Sequence, residues 1–249
     1  MSDRDPSELR GEHDYPPAEE AAVHVYGKRI VCATEDPGRP RNRKLAINEI
    51  VVGSGNGTIP LWAAGVTLYW RFRERAFRGL ANPDGVKDRI RLLLHKALDL
   101  WGDARPVDFA ERDSGWDFEI TLRNSDDCNA VGCVLASAFF PDGGQHRLTI
   151  YPKMLEQEEE EQIETLVHEL GHVFGLRHFF AQLSETQLPS EIFGTHVDFT
   201  IMNYGEPSIL TEADRSDLIK LYQLARSGQL TAINGTRIVL VKPFSTLGG

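Results

Sequence analysis

Two rhythms of apolar residues run along this chain, and they mark different elements. The stretch VTLYWRF at 66–72 is rich in β-branched and aromatic residues and reads as a strand. Phe118–Leu122, Val134–Phe140 and Arg147–Tyr151 read the same way, the last two joined by the turn Pro141-Asp142-Gly143-Gly144. Elsewhere the spacing is helical. Val86, Ile90, Leu93, Leu94, Ala97, Leu98 and Trp101 form one apolar stripe between a start signal, Asn82-Pro83-Asp84, and a stop at Gly102. A second helix is predicted over Gln157–Phe174, with a Glu-rich first turn that suits the positive end of the helix dipole and needs no ligand to explain it. A third begins at Thr211, where Thr211 and Asp214 resemble a capping box, and runs to about Arg226. In the closing stretch LTAINGTRIVLV, Asn234-Gly235 between β-prone runs signals a hairpin.

These patterns divide the chain. Residues 1–20 are polar, acidic and Pro-containing and read as a disordered tail. Residues 21–58 hold three short apolar runs, Val23–Tyr26, Arg29–Ala33 and Ile47–Val52, around the Pro/Arg-rich stretch Asp36–Lys44. They read as an N-terminal extension or a pro-segment, closed by a Gly/Ser/Asn cluster at Gly53–Gly57. The main domain spans 59–228, and a hairpin or tail occupies 229–249.

Composition narrows the function classes. A chain of 249 residues, 41% hydrophobic, suffices for one domain with a real core or a catalytic domain with a short extension. Its net charge of -10 argues against binding a phosphate backbone, which needs a basic face. No apolar run approaches the roughly 20 residues of a membrane helix. The beginning, MSDRDPSELR, lacks the basic start and apolar stretch of a secretory signal. Cys32, Cys128 and Cys133 make no disulfide framework. Cys128 and Cys133 either close a small loop in an oxidising compartment or remain two free thiols.

The chemistry concentrates in residues 168–178, HELGHVFGLRH. On a helix, positions four apart share a face, so His168 and His172 can present two imidazole nitrogens to one ion about 2 Å away. Glu169 stands beside the first and can remove a proton from a water on the metal. Gly175 can adopt a positive φ and turn the chain sharply, which lets His178 swing back as a third ligand. Three protein ligands leave a fourth position open, the arrangement of a catalytic rather than a structural zinc site.

HELGHVFGLRH resembles the extended zinc motif of the metzincin metalloproteases, HExxHxxGxxH, and Thr200-Ile201-Met202-Asn203-Tyr204 is similar to the Met-containing turn that lies beneath the metal in that family. The Gly-Leu-x-His ending, the strand and turn before the helix, and the segment LTEADRSDLIKLY resemble matrixins. Three features depart from them. The stretch from His178 to Met202 is longer, Tyr204 follows the Met as in astacins and serralysins, and neither the pro-segment signature PRCGxPD nor a histidine-rich structural zinc site is evident.

The resemblance implies an α/β (α+β) catalytic domain. A twisted mixed sheet carries two helices in an upper subdomain, a smaller lower subdomain ends in the last helix, and zinc lies at the floor of the cleft between them. It implies a zinc-dependent endopeptidase acting on protein or peptide substrates. His168, His172 and His178 would hold the metal, Glu169 would be the general base, Met202 would form the Met-turn, and Tyr204 would either donate to the tetrahedral oxyanion or simply pack. An extended substrate would add to the edge of Val134–Phe139, and 203–207 would wall the pocket after the cut. Calcium is a second cation suggested by analogy, with Asp126, Asp127 and Asp142 as carboxylates that solvated turns explain as well. Cys32 invites the idea of a thiolate capping the zinc, although RIVCATEDPG does not match the family's switch motif. His196 stands outside the zinc motif. The site of action is either extracellular, by an export route without a standard signal, or cytoplasmic. Two rival readings are a zinc-binding protein without peptidase activity and a zinc hydrolase of a non-peptide substrate.

Overall fold

The computed structural model describes residues 57–128, 132–178, 201–202 and 209–246 throughout, and the backbone of four short strands at 9–10, 30–31, 50–53 and 190–193. Along the chain the elements are β1 (Leu9–Arg10), β2 (Ile30–Val31), β3 (Ile50–Gly53), β4 (Thr58–Trp62), β5 (Thr67–Phe72), α1 (Pro83–Trp101), β6 (Asp108–Glu111), β7 (Phe118–Leu122), β8 (Asp127–Cys128), β9 (Cys133–Val134), β10 (Ala136–Ser137), β11 (Gln145–Ile150), α2 (Pro152–Leu155), α3 (Glu159–Val173), β12 (Leu176–Arg177), β13 (Ser190–Phe193), α4 (Glu212–Arg226), β14 (Ala232–Ile233) and β15 (Thr236–Val241).

The fold is mixed α/β, as the resemblance implies. In the main sheet, β11, β7, β5 and β6 run parallel in that order. The outer edge of β11 is shared: β1 pairs with Gln145 and His146 in parallel, and β10 pairs with Thr149 and Ile150 antiparallel. Leu9–Arg10 are therefore paired although they fall in the stretch read as a disordered tail. Three smaller sheets follow the orders β12-β3-β13, β14-β15-β4 and β2-β9-β8.

Local signals set the helix ends. The Asn82 side chain accepts from Gly85 N–H at 3.0 Å, Pro83 takes the first helical position, and α1 stops at Gly102 with φ +53°. At α4, Thr211 and Asp214 form the reciprocal capping box. The acidic first turn of α3 has a second use beyond the helix dipole. Glu159 bonds Arg89 at 2.7 Å and also Lys96, tying α3 to α1 and holding its carboxyl below the usual range, mainly through Lys96. The β14–β15 hairpin turns through Asn234 and Gly235, both at positive φ.

β6 and the stretch Val134–Phe140 depart from the sequence expectation. β6 is an edge strand with no fully buried residue, so it carries no apolar alternation to read. The single strand expected over Val134–Phe140 changes partner midway. Cys133 and Val134 pair with β8, whereas Leu135 accepts from Tyr151 and the next two residues pair with β11. The alternative at Cys128 and Cys133 resolves as a disulfide across the β8–β9 pair.

One apolar core spans the sheet and the helices. Trp101 is fully buried between α1 and α3, its ring edge-on to Phe174 at 5.3 Å, and its Nε1–H donates to Val167 O at 3.0 Å. Burying a side chain of this kind stabilises by roughly 1.5–3 kcal/mol, against ~0–1 kcal/mol for an exposed ion pair such as Arg91–Asp88. Packing, more than surface charge, therefore fixes α3 against α1.

Candidate metal centre

The last two turns of α3 are buried on every side, polar residues included. His168, Glu169 and His172 are each no more than 1% exposed, and so is His178 beyond the helix. Polar groups are held in such a place only when their hydrogen-bonding needs are met. For the first two histidines the partners are backbone carbonyls. His168 Nδ1 bonds Ile201 O at 2.8 Å, and His172 Nδ1 bonds Leu176 O at 2.9 Å. A carbonyl only accepts, so each Nδ1 carries the proton and each Nε2 presents a lone pair.

Those Nε2 atoms converge. His168 and His178 bring theirs to 3.0 Å, and His172 stands 3.2 Å from each. Burial, reinforced by His178, pushes the His168 imidazole down to about 3, with the Ile201 bond opposing. Burial and both neighbouring histidines also push His172 well below its ordinary value. His168 and His172 are thus held neutral. Imidazole nitrogens that converge at this spacing suit a shared cation. Among the described residues they are the one cluster of His, Cys, Asp or Glu placed to hold a metal ion.

The turn that brings His178 round is built from distant parts of the chain. Gly175 has φ +92°, and a Cβ there would meet Leu61 Cδ2 at 3.3 Å, Pro60 O at 3.4 Å and Pro141 Cγ at 3.5 Å. The carbonyls left open at the end of α3 are all taken: Gly175 N–H donates to His172 O, Trp62 Nε1–H to Val173 O at 2.7 Å, and Tyr222 Oη–H to Phe174 O at 2.9 Å. Tyr222 Oη in turn accepts from Trp62 N–H at 3.3 Å, and burial raises its pKa. Arg226 closes the far side, with bonds to the carbonyls of Trp62, Ala63 and Pro106. Trp62, Tyr222 and Arg226 carry no signal in the sequence that links them to the metal motif.

Behind the helix, Gly171 makes room for Met202. A Cβ at 171 would collide with Met202 Sδ and come within 3.6 Å of Trp101. Met202 is buried, and its predecessor Ile201 supplies the carbonyl that orients His168. Met202 thus packs on α3 at Gly171, close enough that only glycine fits between.

Other sequence-predicted positions separate from this centre or escape description. Tyr204, Cys32, His196 and 203–207 lie outside the described residues. Asp126 accepts from Lys153 N–H at the start of α2, and Asp142 from Gly144 N–H within its own turn, each at 2.6 Å, and no calcium cluster forms among the described residues. His146 stacks on Phe139 at 4.4 Å and also stands apart from the three histidines.

Residues 69–185 match the family model Matrixin, a span that includes the zinc motif and both long helices α1 and α3. The matched span is matrixin-like, within the metzincin metalloproteases. The match supports a zinc metallopeptidase in general terms, and the three imidazoles fit that metal. No match is found among curated proteins. Among solved structures, the chain is similar to that of myroilysin at 13% identity and a TM-score of 0.45, with 69% of this chain and 98% of that one covered. No described helix is long and apolar enough to cross a membrane.

Proposed function

We propose that this chain is a zinc metalloendopeptidase in which His168, His172 and His178 hold the metal and Glu169 is the general base. The observation that carries the reading is the convergence of three buried Nε2 atoms within 3.2 Å, two of them oriented by backbone carbonyls and carried by a helix that also bears a buried glutamate. Zinc held there supplies a Lewis acid that acidifies water and polarises a carbonyl. Glu169 follows His168 directly on α3, takes the proton from the attacking water and delivers it to the leaving amine. Its burial excludes bulk water, which strengthens every charge interaction in the site. Tyr204, two residues beyond Met202, donates to the oxyanion.

The substrate is an extended peptide lying along β10. Ala136 and Ser137 pair with β11 on one side and, among the described residues, with no strand on the other, so that edge can accept main-chain hydrogen bonds. β9 is closed to such pairing, since β8 and β2 already flank it.

Cleavage of a casein-type protein by the purified chain, with and without a chelator and with Glu169→Gln as control, tests the reading. Expected is chelator-sensitive cleavage that zinc restores, with turnover in the variant lower by roughly 10²–10⁴-fold and zinc retained. Equal turnover in the variant would remove Glu169 from the mechanism. One bound zinc without cleavage of any protein or peptide would favour a binding role or a non-peptide substrate.

A further inference from the structure

Immediately before the third histidine, the chain passes through β12, Leu176–Arg177, and its strand partner comes from the N-terminal segment. β3 lies in the middle of the β12-β3-β13 sheet, with Leu176 opposite Val52 and Arg177 opposite Val51. On its other side β3 pairs with Ser190–Phe193, so it joins the stretches on either side of 178–189. The next strand, β4, continues the same support. Leu61 and Pro60 pack on Gly175, and Trp62 bonds Val173 O. Residues 50–53 and 60–62 therefore back the chain from Val173 to Arg177.

The last two residues of that backed stretch act on the metal ligands. Leu176 O orients His172 through Nδ1 at 2.9 Å, and Arg177 is followed directly by His178. We propose that β3 is a positioning segment for the metal site, a built-in brace that sets Leu176 O and His178, and not a removable cover. The proposal rests on the metal-site reading above. It inverts the simplest expectation for residues ahead of a protease domain, because losing the segment would cost metal affinity where losing a cover would release activity.

The test uses the full chain and zinc competed against a chromophoric chelator. Val51→Pro and Val52→Pro each remove one ladder donor from a central strand, where proline is not tolerated. Successive residues of an antiparallel strand face opposite neighbours, so one variant breaks toward β12 and the other toward β13. The expected result is a loss of zinc affinity of about 10–100-fold, the range for losing support of a ligand, larger for the variant that faces β12. Ala110→Pro makes a similar lesion in β6, away from the histidines, and should melt lower yet bind zinc like the parent.

A specific protease site placed over 54–56 gives a second measurement that needs no strand substitution. After cleavage the N-terminal fragment should stay with the body through gel filtration, with zinc retained. If the proline variants bind zinc as the parent does, or the fragment departs and zinc affinity is unchanged, the brace is refuted and the segment is a cover. A parent chain that binds no zinc would sink the metal reading first, and the brace with it.

Discussion

His168 and His172 share one means of placement, and His178 has another. The first two stand four residues apart on α3, and helix geometry alone puts them on one face. Packing of α1, Trp101 and Met202 then locks the helix in place. His178 lies beyond a positive-φ glycine, and its approach depends on residues from both ends of the chain: Pro60, Leu61 and Trp62 from β4, Tyr222 from α4, and β3 beside β12. The helical pair is a local feature and the third ligand a global one. Lesions in distant strands should therefore reach the metal through His178 and through the Leu176 carbonyl that orients His172, and leave the helix intact.

The largest effect that separates the two comes from the ligands themselves. His168→Ala and His178→Ala should each reduce zinc affinity by more than the roughly 10–100-fold that loss of a supporting contact costs, as read by chelator competition. The signature lies in amide exchange. His178→Ala should loosen 175–178 while α3 stays protected, and a general loss of protection across α3 would contradict the division.

A step smaller is Gly175→Ala. A left-handed backbone costs a residue with a Cβ roughly 1–2 kcal/mol, and the Leu61, Pro60 and Pro141 contacts leave little room to relax. Thermal melting should fall accordingly and zinc affinity with it. The counterpart on the helical side is Gly171→Ala, which drives a Cβ into Met202 and should cost about 1–3 kcal/mol by overpacking. An unchanged melting temperature for Gly171→Ala would mean that Met202 moves aside freely.

Tyr222→Phe sharpens the same contrast. It leaves Phe174 O without its donor and Trp62 N–H without its acceptor, for a cost of about 1–3 kcal/mol. Because the lost bond sits on the turn, zinc affinity should drop as well as stability. The smallest expected effect is a control. Thr211→Ala removes the cap of α4 at about 1 kcal/mol and should leave zinc binding untouched, since the cap lies at the opposite end of that helix from Tyr222.

Much of the fold was legible because its signals are local. Asn82 and Gly102 bracket α1, Thr211 and Asp214 cap α4, and Asn234-Gly235 makes its hairpin, each through interactions among residues a few positions apart. β5 and β7 read correctly because aromatic and β-branched side chains crowd them. The failures share a cause. β4 contains Pro60 beside a glycine cluster, β6 lies on an edge, and β3 is four residues of a segment with no strong pattern. Such strands exist because a partner far along the chain supplies their hydrogen bonds, and a sequence window holds no trace of that partner.

The sequence by itself determined the chemistry offered: two histidines and a glutamate in one helical turn, a glycine able to reverse the chain, a third histidine after it, and a downstream methionine. Only the tertiary structure decided how these are held. It chose the Ile201 and Leu176 carbonyls that orient His168 and His172, gave Trp62 and Tyr222 the end of α3 to close, pressed Met202 against Gly171, and set β3 beside the approach to His178. The physical reason is range. Helical spacing and capping are settled within a few residues, whereas buried carbonyls must find donors wherever the folded chain brings them.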